Sequence, residues 1–509
     1  MKLRPIPFLT RASLSGSLWL ALGTLTDLYA RAGGAGGHSS GGRSSGGGGF
    51  GGSHGSSSFG RSSYHGTGGS SGNDPISNLV FLILLGVVAY IVISQVRKLM
   101  ASAPGSSRDY GADVDPDSIK SFLADYPDFD FAAFGEKVRS AFLKIQAAWT
   151  AQNVSQIRPF ITDGMYQRFA TQFRMMGLLK QQNRLDRIQV LRVKPVSARI
   201  DGAFDVIDVY VEAAMHDAFV CELDRSFDSE SDETFVEYWS FIRKRGAGDR
   251  GFNLFENTNC PSCGAALPKD MGELCRCSYC QVIVNSGDFD WILAEITQET
   301  DYGNNSLLAP CVSQELSHSI AAIAPECPDF SVQLAEDKAS NAFMQIMTAM
   351  ATRNPASVRR FVSDEVFAKF STMIPDRNII FNRIYLNESV LLDVSRSETR
   401  HQLAIGLSAS MQRVEILANR NLAPIDFQEN RSGHVLLMER DANAVPEKGS
   451  LYQHQCATCG GAVGDTLDVK CQYCGSPLNS TRNEWIVTGF LTTEEYAGIS
   501  HLSPDAPYA

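Results

Sequence analysis

The chain has little positive charge to spare. Its 45 Lys and Arg stand against 56 Asp and Glu, a net charge of −11, and a protein that grips a phosphate backbone needs a basic face to displace counterions. Nucleic-acid binding is therefore disfavoured. Histidine is scarce as well, at 9 of 509 residues, and no pair at a telling spacing supports a nucleophile or a proton relay. Asp208 and His216, on or beside a predicted strand, are the first groups to test if a pocket enzyme is entertained. Two stretches lack whole classes of residue. Residues 32–72 are almost wholly Gly and Ser, with a few Arg and the three histidines His38, His54 and His65. Such a tract buries too little apolar area to offset its ordering entropy and reads as flexible filler. Residues 76–96 contain no charge, and as a helix they would span roughly 30 Å, the thickness of a bilayer core.

Cysteine, by contrast, is patterned. Cys260-Pro-Ser-Cys263 is followed by Cys277-Ser-Tyr-Cys280, and the arrangement returns as Cys456-Ala-Thr-Cys459 and Cys471-Gln-Tyr-Cys474. Each CxxC turn sets two sulfurs on one side of a short knuckle, and two turns complete a tetrahedral thiolate shell. The eight cysteines are thus assigned as ligands of two structural zinc ions. Gly264, Gly460 and Gly475 follow three of the pairs, where a turn with φ > 0 has no steric cost; Gln281 is the exception. Cys275 is a fifth candidate sulfur, but Val469 occupies its place in the second set, so the metal is given to Cys277 and Cys280. From the last cysteine to a tryptophan is the same step twice, Cys280 to Trp291 and Cys474 to Trp485. Two disulfides per cluster are the rival reading. Cys221, Cys311 and Cys327 have no partner at ligand spacing and read as ordinary thiols.

The N-terminus has the parts of a secretory signal or an uncleaved signal anchor: Lys2, Arg4 and Arg11, the apolar run Leu18-Trp19-Leu20-Ala21-Leu22, and a cleavage site at Leu28-Tyr29-Ala30. Arg97 and Lys98 follow the apolar span and place its C-terminal side in the cytoplasm. Both readings of the signal, with one or two spans, leave the large C-terminal part on the cytoplasmic face of the membrane. A reducing cytoplasm keeps thiols free for metal.

From Asp115 onward the chain repeats itself at an offset of 201 residues. The run Phe142 to Trp149, Asn153, Phe160, Asp163 and Phe169 matches Phe343 to Met350, Asn354, Phe361, Asp364 and Phe370. Phe134, Val138, Ala141, Ile145 and Ala148 recur at helical spacing and mark a core face. A second helix is expected over 157–173, then strands over 187–196, 204–215, 218–225 and 235–244. The second copy offers strands over 379–394, 402–416 and 434–439. Helices followed by an antiparallel meander make an α+β layout. Each cysteine set falls between the last two strands, as a ribbon plugged into a hairpin.

The stretch Phe142 to Phe169, the strand ending Tyr238-Trp-Ser-Phe-Ile-Arg243 and the return strand Trp291-Ile-Leu-Ala-Glu-Ile296 resemble the C-terminal domain of the inner-membrane translocase subunit 44, the tether of the mitochondrial import motor, as found in its bacterial relatives. The layout of signal, Gly-rich tract, membrane helix and domain is similar too. The resemblance implies two tandem cone-shaped domains of the nuclear transport factor 2-like class, helices against a curved antiparallel sheet. It also implies a membrane-associated tethering or transport role. The expected organisation is a signal peptide or anchor (1–30), Gly/Ser tract (31–74), transmembrane helix (75–97) and linker (98–114). The first Tim-44-like domain (115–302, ribbon 256–287), a linker (303–327), a second, divergent domain (328–495, ribbon 453–481) and a tail (496–509) follow. The leading expectation is a non-catalytic binding scaffold whose partner is a protein or lipid; a pocket enzyme and a ribbon that binds nucleic acid are the alternatives.

Overall fold

The computed structural model describes residues 29–31, 34–36, 114–247, 252–303, 306–444, 456, 458–463, 469–482 and 484–499. The apolar stretch 76–96 and the signal's charged and apolar runs lie outside the described residues. Among the described residues no helix is long and apolar enough to cross a membrane. At the start of the Gly/Ser tract, Tyr29–Arg31 (β1) and Gly34–Gly36 (β2) pair as a short antiparallel hairpin. The chain divides into two compact units, Ser39–Asp113 and the remainder; the description concerns the remainder.

Helix α1 (Pro116–Asp125) starts where Asp115 accepts the Ser118 N–H at 3.0 Å and Pro116 fixes the first helical φ. Helix α2 (Phe131–Thr150) is capped by Asp130 and buries Phe134, Val138, Ala141, Phe142, Ile145, Ala148 and Trp149. Helix α3 runs Asp163–Leu179, starting later than the expected 157. Pro159 lies in a 3-10 turn there, and Ile161 is extended, bridging in parallel to Leu293. Thr162 then caps the helix through Met165 N–H at 3.3 Å. The strand pairing of Ile161 therefore overrides the apolar period before it.

Four strands follow, β3 (Gln181–Asp201), β4 (Phe204–Cys221), β5 (Ser229–Lys244) and β6 (Ile292–Gln298), in the order β3-β4-β5-β6, all antiparallel. Bulges at Asp186/Gln189, Val190/Arg192 and Pro195/Ser197 shift the register of β3, as such insertions do when a sheet curves. The break expected between 215 and 218 is absent. Asp217 stays in the strand because buried Asn183 donates to it across the sheet, and Asn183 itself accepts from Trp149 Nε1 at 2.6 Å.

After α4 (Leu316–Ile323), the second copy repeats the plan: α5 (Val332–Thr352), α6 (Asp364–Met373), β7 (Ile379–Arg396), β8 (Arg400–Ile416), the short β9 (Leu422–Pro424), β10 (Asn430–Asp441), β11 (Ile486–Thr492) and α7 (Thr493–Ile499). The sheet order is β11-β10-β8-β7, with β9 on β8. Details repeat with the elements. Thr162 N–H donates to Leu293 O at 3.0 Å, and Ser363 N–H to Val487 O at 2.9 Å.

The copies share one body. Met175, Leu179 and Cys221 of the first lie in the core of the second, and Leu334 and Tyr385 of the second lie in the core of the first. Helix α3 packs on α5. Between them buried Asp337 accepts from Thr162 Oγ1 at 2.6 Å and Gly164 N–H at 3.1 Å, and Thr171 meets Thr348 at 2.9 Å. Asp201, at the end of β3, caps α5 of the other copy through the N–H groups of Val332 and Gln333 at 2.9 and 2.8 Å. The stretch read as a linker packs too: Leu308 joins Leu392, Val435 and Tyr496, while Ile323 and Cys327 enter the second core.

Candidate metal centres

All eight predicted ligands converge, as two groups of four. Within each group the four sulfurs lie within 4.8 Å of one another. Cys260 and Cys280 are 3.6 Å apart and Cys263 and Cys277 3.7 Å; Cys456–Cys474 and Cys459–Cys471 are both 3.7 Å. Four thiolates at about 2.3 Å from a zinc ion would sit about 3.8 Å apart along the tetrahedron's edges. A disulfide would need about 2.05 Å, and all twelve cysteines are free thiols. The spacing is that of a metal shell.

The knuckles explain how the sequence builds it. In every one, the first cysteine's N–H bonds forward to a carbonyl five residues on: Cys260 to Ala265 at 2.7 Å, Cys277 to Val282 at 2.9 Å, Cys456 to Gly461 at 2.8 Å and Cys471 to Ser476 at 2.8 Å. The residue after the second cysteine closes the turn back, with Gly264, Gly460 and Gly475 at φ of 75°, 71° and 72°. Gln281 takes the same left-handed conformation, φ 62°, without being glycine, and its Nε2 donates to Ser278 O at 2.9 Å. The backbone requirement is thus identical at all four knuckles. Only the residue that meets it differs.

The surroundings already favour thiolate at one sulfur of each group. The Val282 N–H, with the neighbouring sulfurs, pulls the Cys280 thiol down to about 7. The Ser476 hydroxyl, then its N–H, pulls Cys474 down to about 6. Each group has two buried and two exposed cysteines: Cys260 and Cys277 join the first core and Cys456 and Cys471 pack with Val463, while the other two of each group face solvent. Cys275 stays out of the group: it is buried, contacts Met271 Sδ at 3.8 Å, and burial pushes its thiol up to about 11. Its carbonyl accepts Val284 N–H just as Val469 O accepts Leu478 N–H, both at 2.8 Å.

Each ribbon is spliced between the last two strands, β5 and β6 or β10 and β11. At the exit, Trp291 N–H bonds Asp290 and Trp485 N–H bonds Glu484, both at 2.9 Å. Those carboxylates hold lysines one repeat apart, Lys137–Asp290 at 3.1 Å and Lys338–Glu484 at 2.7 Å. The first ribbon has a further tie. Fully buried Arg158 pairs with Asp163, stacks over Tyr166 at 4.7 Å and donates to Gly272 O and Glu273 O at 2.9 and 2.6 Å. Its repeat mate Arg359 pairs with Asp364 and lies over Phe367 at 4.8 Å. Sequence reading passed over these arginines and lysines, though the offset of 201 relates all of them. Tyr279 and Tyr473, each inside the second CxxC of its set, are 74% and 64% exposed.

The two residues named for a pocket enzyme are not brought together. Asp208 is buried among Arg199 at 2.6 Å, Ser197 at 2.7 Å and Tyr302 at 3.2 Å. Burial opposes its charge, but Arg199 and the serines win and hold it below the usual carboxylate range. His216 is eight residues along the same strand, roughly 26 Å away by strand rise, and meets Asp232 at 3.1 Å and Glu230 at 3.2 Å.

Residues 117–258 match the Tim44-like domain family. The match begins in α1 and ends two residues before the first cysteine knuckle. No curated protein matches the chain. Among solved structures, one titled "Ntf2 like protein involved in plasmid conjugation" aligns over 57% of this chain and 89% of its own, at 6% identity and a TM-score of 0.13. The fold description accordingly rests on the chain's own topology.

Proposed function

We propose that the protein is a membrane-anchored, non-catalytic scaffold of the translocation class, whose double Tim44-like body and two zinc ribbons face the bacterial cytoplasm. The match of residues 117–258 to the Tim44-like domain carries this reading. The uncharged stretch 76–96, followed by Arg97 and Lys98, supplies the anchor and its orientation. Zinc is the metal that an all-thiolate, four-sulfur shell favours, and four protein ligands leave it no open position for chemistry. The ions therefore fix the ribbons. Exposed Tyr279 and Tyr473 on the knuckles are of the residue type that dominates binding surfaces, so the ribbons present contact points rather than merely closing a hairpin.

The test is cross-linking in intact membranes from a photoreactive residue at position 279 or 473. Protein adducts that pellet with the membrane are expected from both positions. Adducts to nucleic acid alone, or none, would overturn the reading. Protease protection of the 115–495 region in sealed inverted vesicles would contradict the topology.

A further inference from the structure

The internal repeat sets an open site beside a closed copy of itself. In the first copy a cavity of about 440 Å³ is walled by Tyr126, Phe129, Phe134 and Trp291, with Arg243 and Lys137 among its lining. In the second copy the matching residues Asp329, Phe330, Lys338, Arg440 and Trp485 enclose only about 10 Å³. Pro127-Asp128-Phe129 and Pro328-Asp329-Phe330 are the same tripeptide one repeat apart. The difference lies in what meets the arginine. Asp329 takes Arg440 with both oxygens, at 3.2 and 3.1 Å. Asp128 instead stands exposed.

Arg243 lacks the two-oxygen partner that Arg440 has. It is 6% exposed, and its ion pair is with Asp205, at 3.6 Å. Asp205 offsets the charge, where the second copy has His401 facing Arg440 across the strands. Offsetting charge at that distance does not satisfy the planar fork, which suits two parallel bonds to one carboxylate. The guanidinium is instead held between rings, 4.5 Å from Trp291, 5.6 Å from Tyr126 and 5.9 Å from Phe129.

We infer that the first-copy cavity binds a monocarboxylate with an apolar body, its carboxylate on Arg243 as Asp329 sits on Arg440, and its body against the rings of Tyr126, Phe129, Phe134 and Trp291. The remaining charges set the limit to one carboxylate. Asp125 pairs with Arg245 at 3.2 Å, Asp130 caps α2, and Asp290 holds Lys137, which leaves Asp128 as an acidic guard at the rim. A phosphate monoester, carrying more charge past that rim, is excluded. The shared chemistry has two sources, a free aliphatic acid or the terminal residue of a peptide chain.

The test is calorimetric titration of the full chain in detergent with decanoate, N-acetyl-phenylalanine, decanol and decyl phosphate. One of the two carboxylates binds, which tells free acid from chain terminus, and decanol and decyl phosphate bind at least about tenfold more weakly, as loss of a charge-assisted pair entails. Arg243→Gln abolishes the preference for carboxylate over alcohol. Ala133→Leu, which gives this exposed position the Leu334 of the closed copy, fills the cavity without touching Arg243 and removes binding. Absence of binding by either carboxylate, equal binding of decanoate and decanol, or unchanged binding in Ala133→Leu would overturn the assignment.

Discussion

Arg158 donates its Nε to the carbonyl of Gly272 at 2.9 Å, and this bond joins the first copy's body to the loop between the two knuckles of the first ribbon. The same guanidinium holds buried Asp163. The ribbon is thus seated on the body and not merely strung from a hairpin, and the cost of losing the seat should differ between the two copies.

Arg158→Ala removes the cation that faces buried Asp163 and frees the loop around Gly272. A loss of about 3–5 kcal/mol is expected, read by chemical denaturation, with new proteolytic cutting between residues 264 and 276. Arg359→Ala removes the equivalent pair where Asp364 is 85% exposed, and should cost no more than about 1 kcal/mol. Equal losses would mean the seat contributes nothing.

Gly164 tests the joint between the copies. A Cβ there would collide with the carboxylate and backbone carbonyl of Asp337, so Gly164→Ala must push α3 away from α5. Destabilisation of about 1–3 kcal/mol is expected from such overpacking. Gly177, in the same helix, has nothing within 4 Å of its Cβ position, and Gly177→Ala should stabilise by about 0.5–1 kcal/mol. Thermal unfolding of the two variants separates joint from helix propensity.

The joint should also respond to pH. Burial pushes the Asp337 carboxyl up to about 7, against the hydrogen bonds from Thr162 and Gly164 that favour its charge. Burial moves Glu336 the same way, to about 8. A carboxyl whose folded value is raised binds its proton more tightly in the fold. Its contribution is complete below the unfolded value near 4 and declines as pH rises, to the end of the window near 7 to 8. Asp337→Asn should therefore flatten the fall in stability between pH 5 and 8. A parallel pH profile in wild type and variant would contradict this.

How much of this was legible beforehand can be read from particular residues. The knuckles were, because CxxC spacing states ligand geometry directly, and the offset of 201 disclosed the repeat. The ribbon's position between strands followed from the shared step to Trp291 and Trp485. Helix α3 was misplaced by six residues because Ile161 has an apolar period but pairs with Leu293, a contact 132 residues away in the chain that no local pattern encodes. Likewise β4 runs through His216 and Asp217, since polar residues there are met from across the sheet by Asp232 and Asn183. The shared core was not visible at all: Met175 and Leu179 lie on α3 beyond the expected helix end at 173, and they pack into the other copy. Sequence-local signals survived, and choices made by distant partners did not.

The measurement that bears most directly on the account is metal content by native mass spectrometry of the full chain and of Cys277→Ser and Cys471→Ser. Two zinc ions per wild-type chain are expected, with one ion lost in each variant and the other retained, and with protease sensitivity rising only at the altered ribbon. A wild-type chain that carries no metal and shows disulfide-linked masses, or variants that keep two ions, would contradict it.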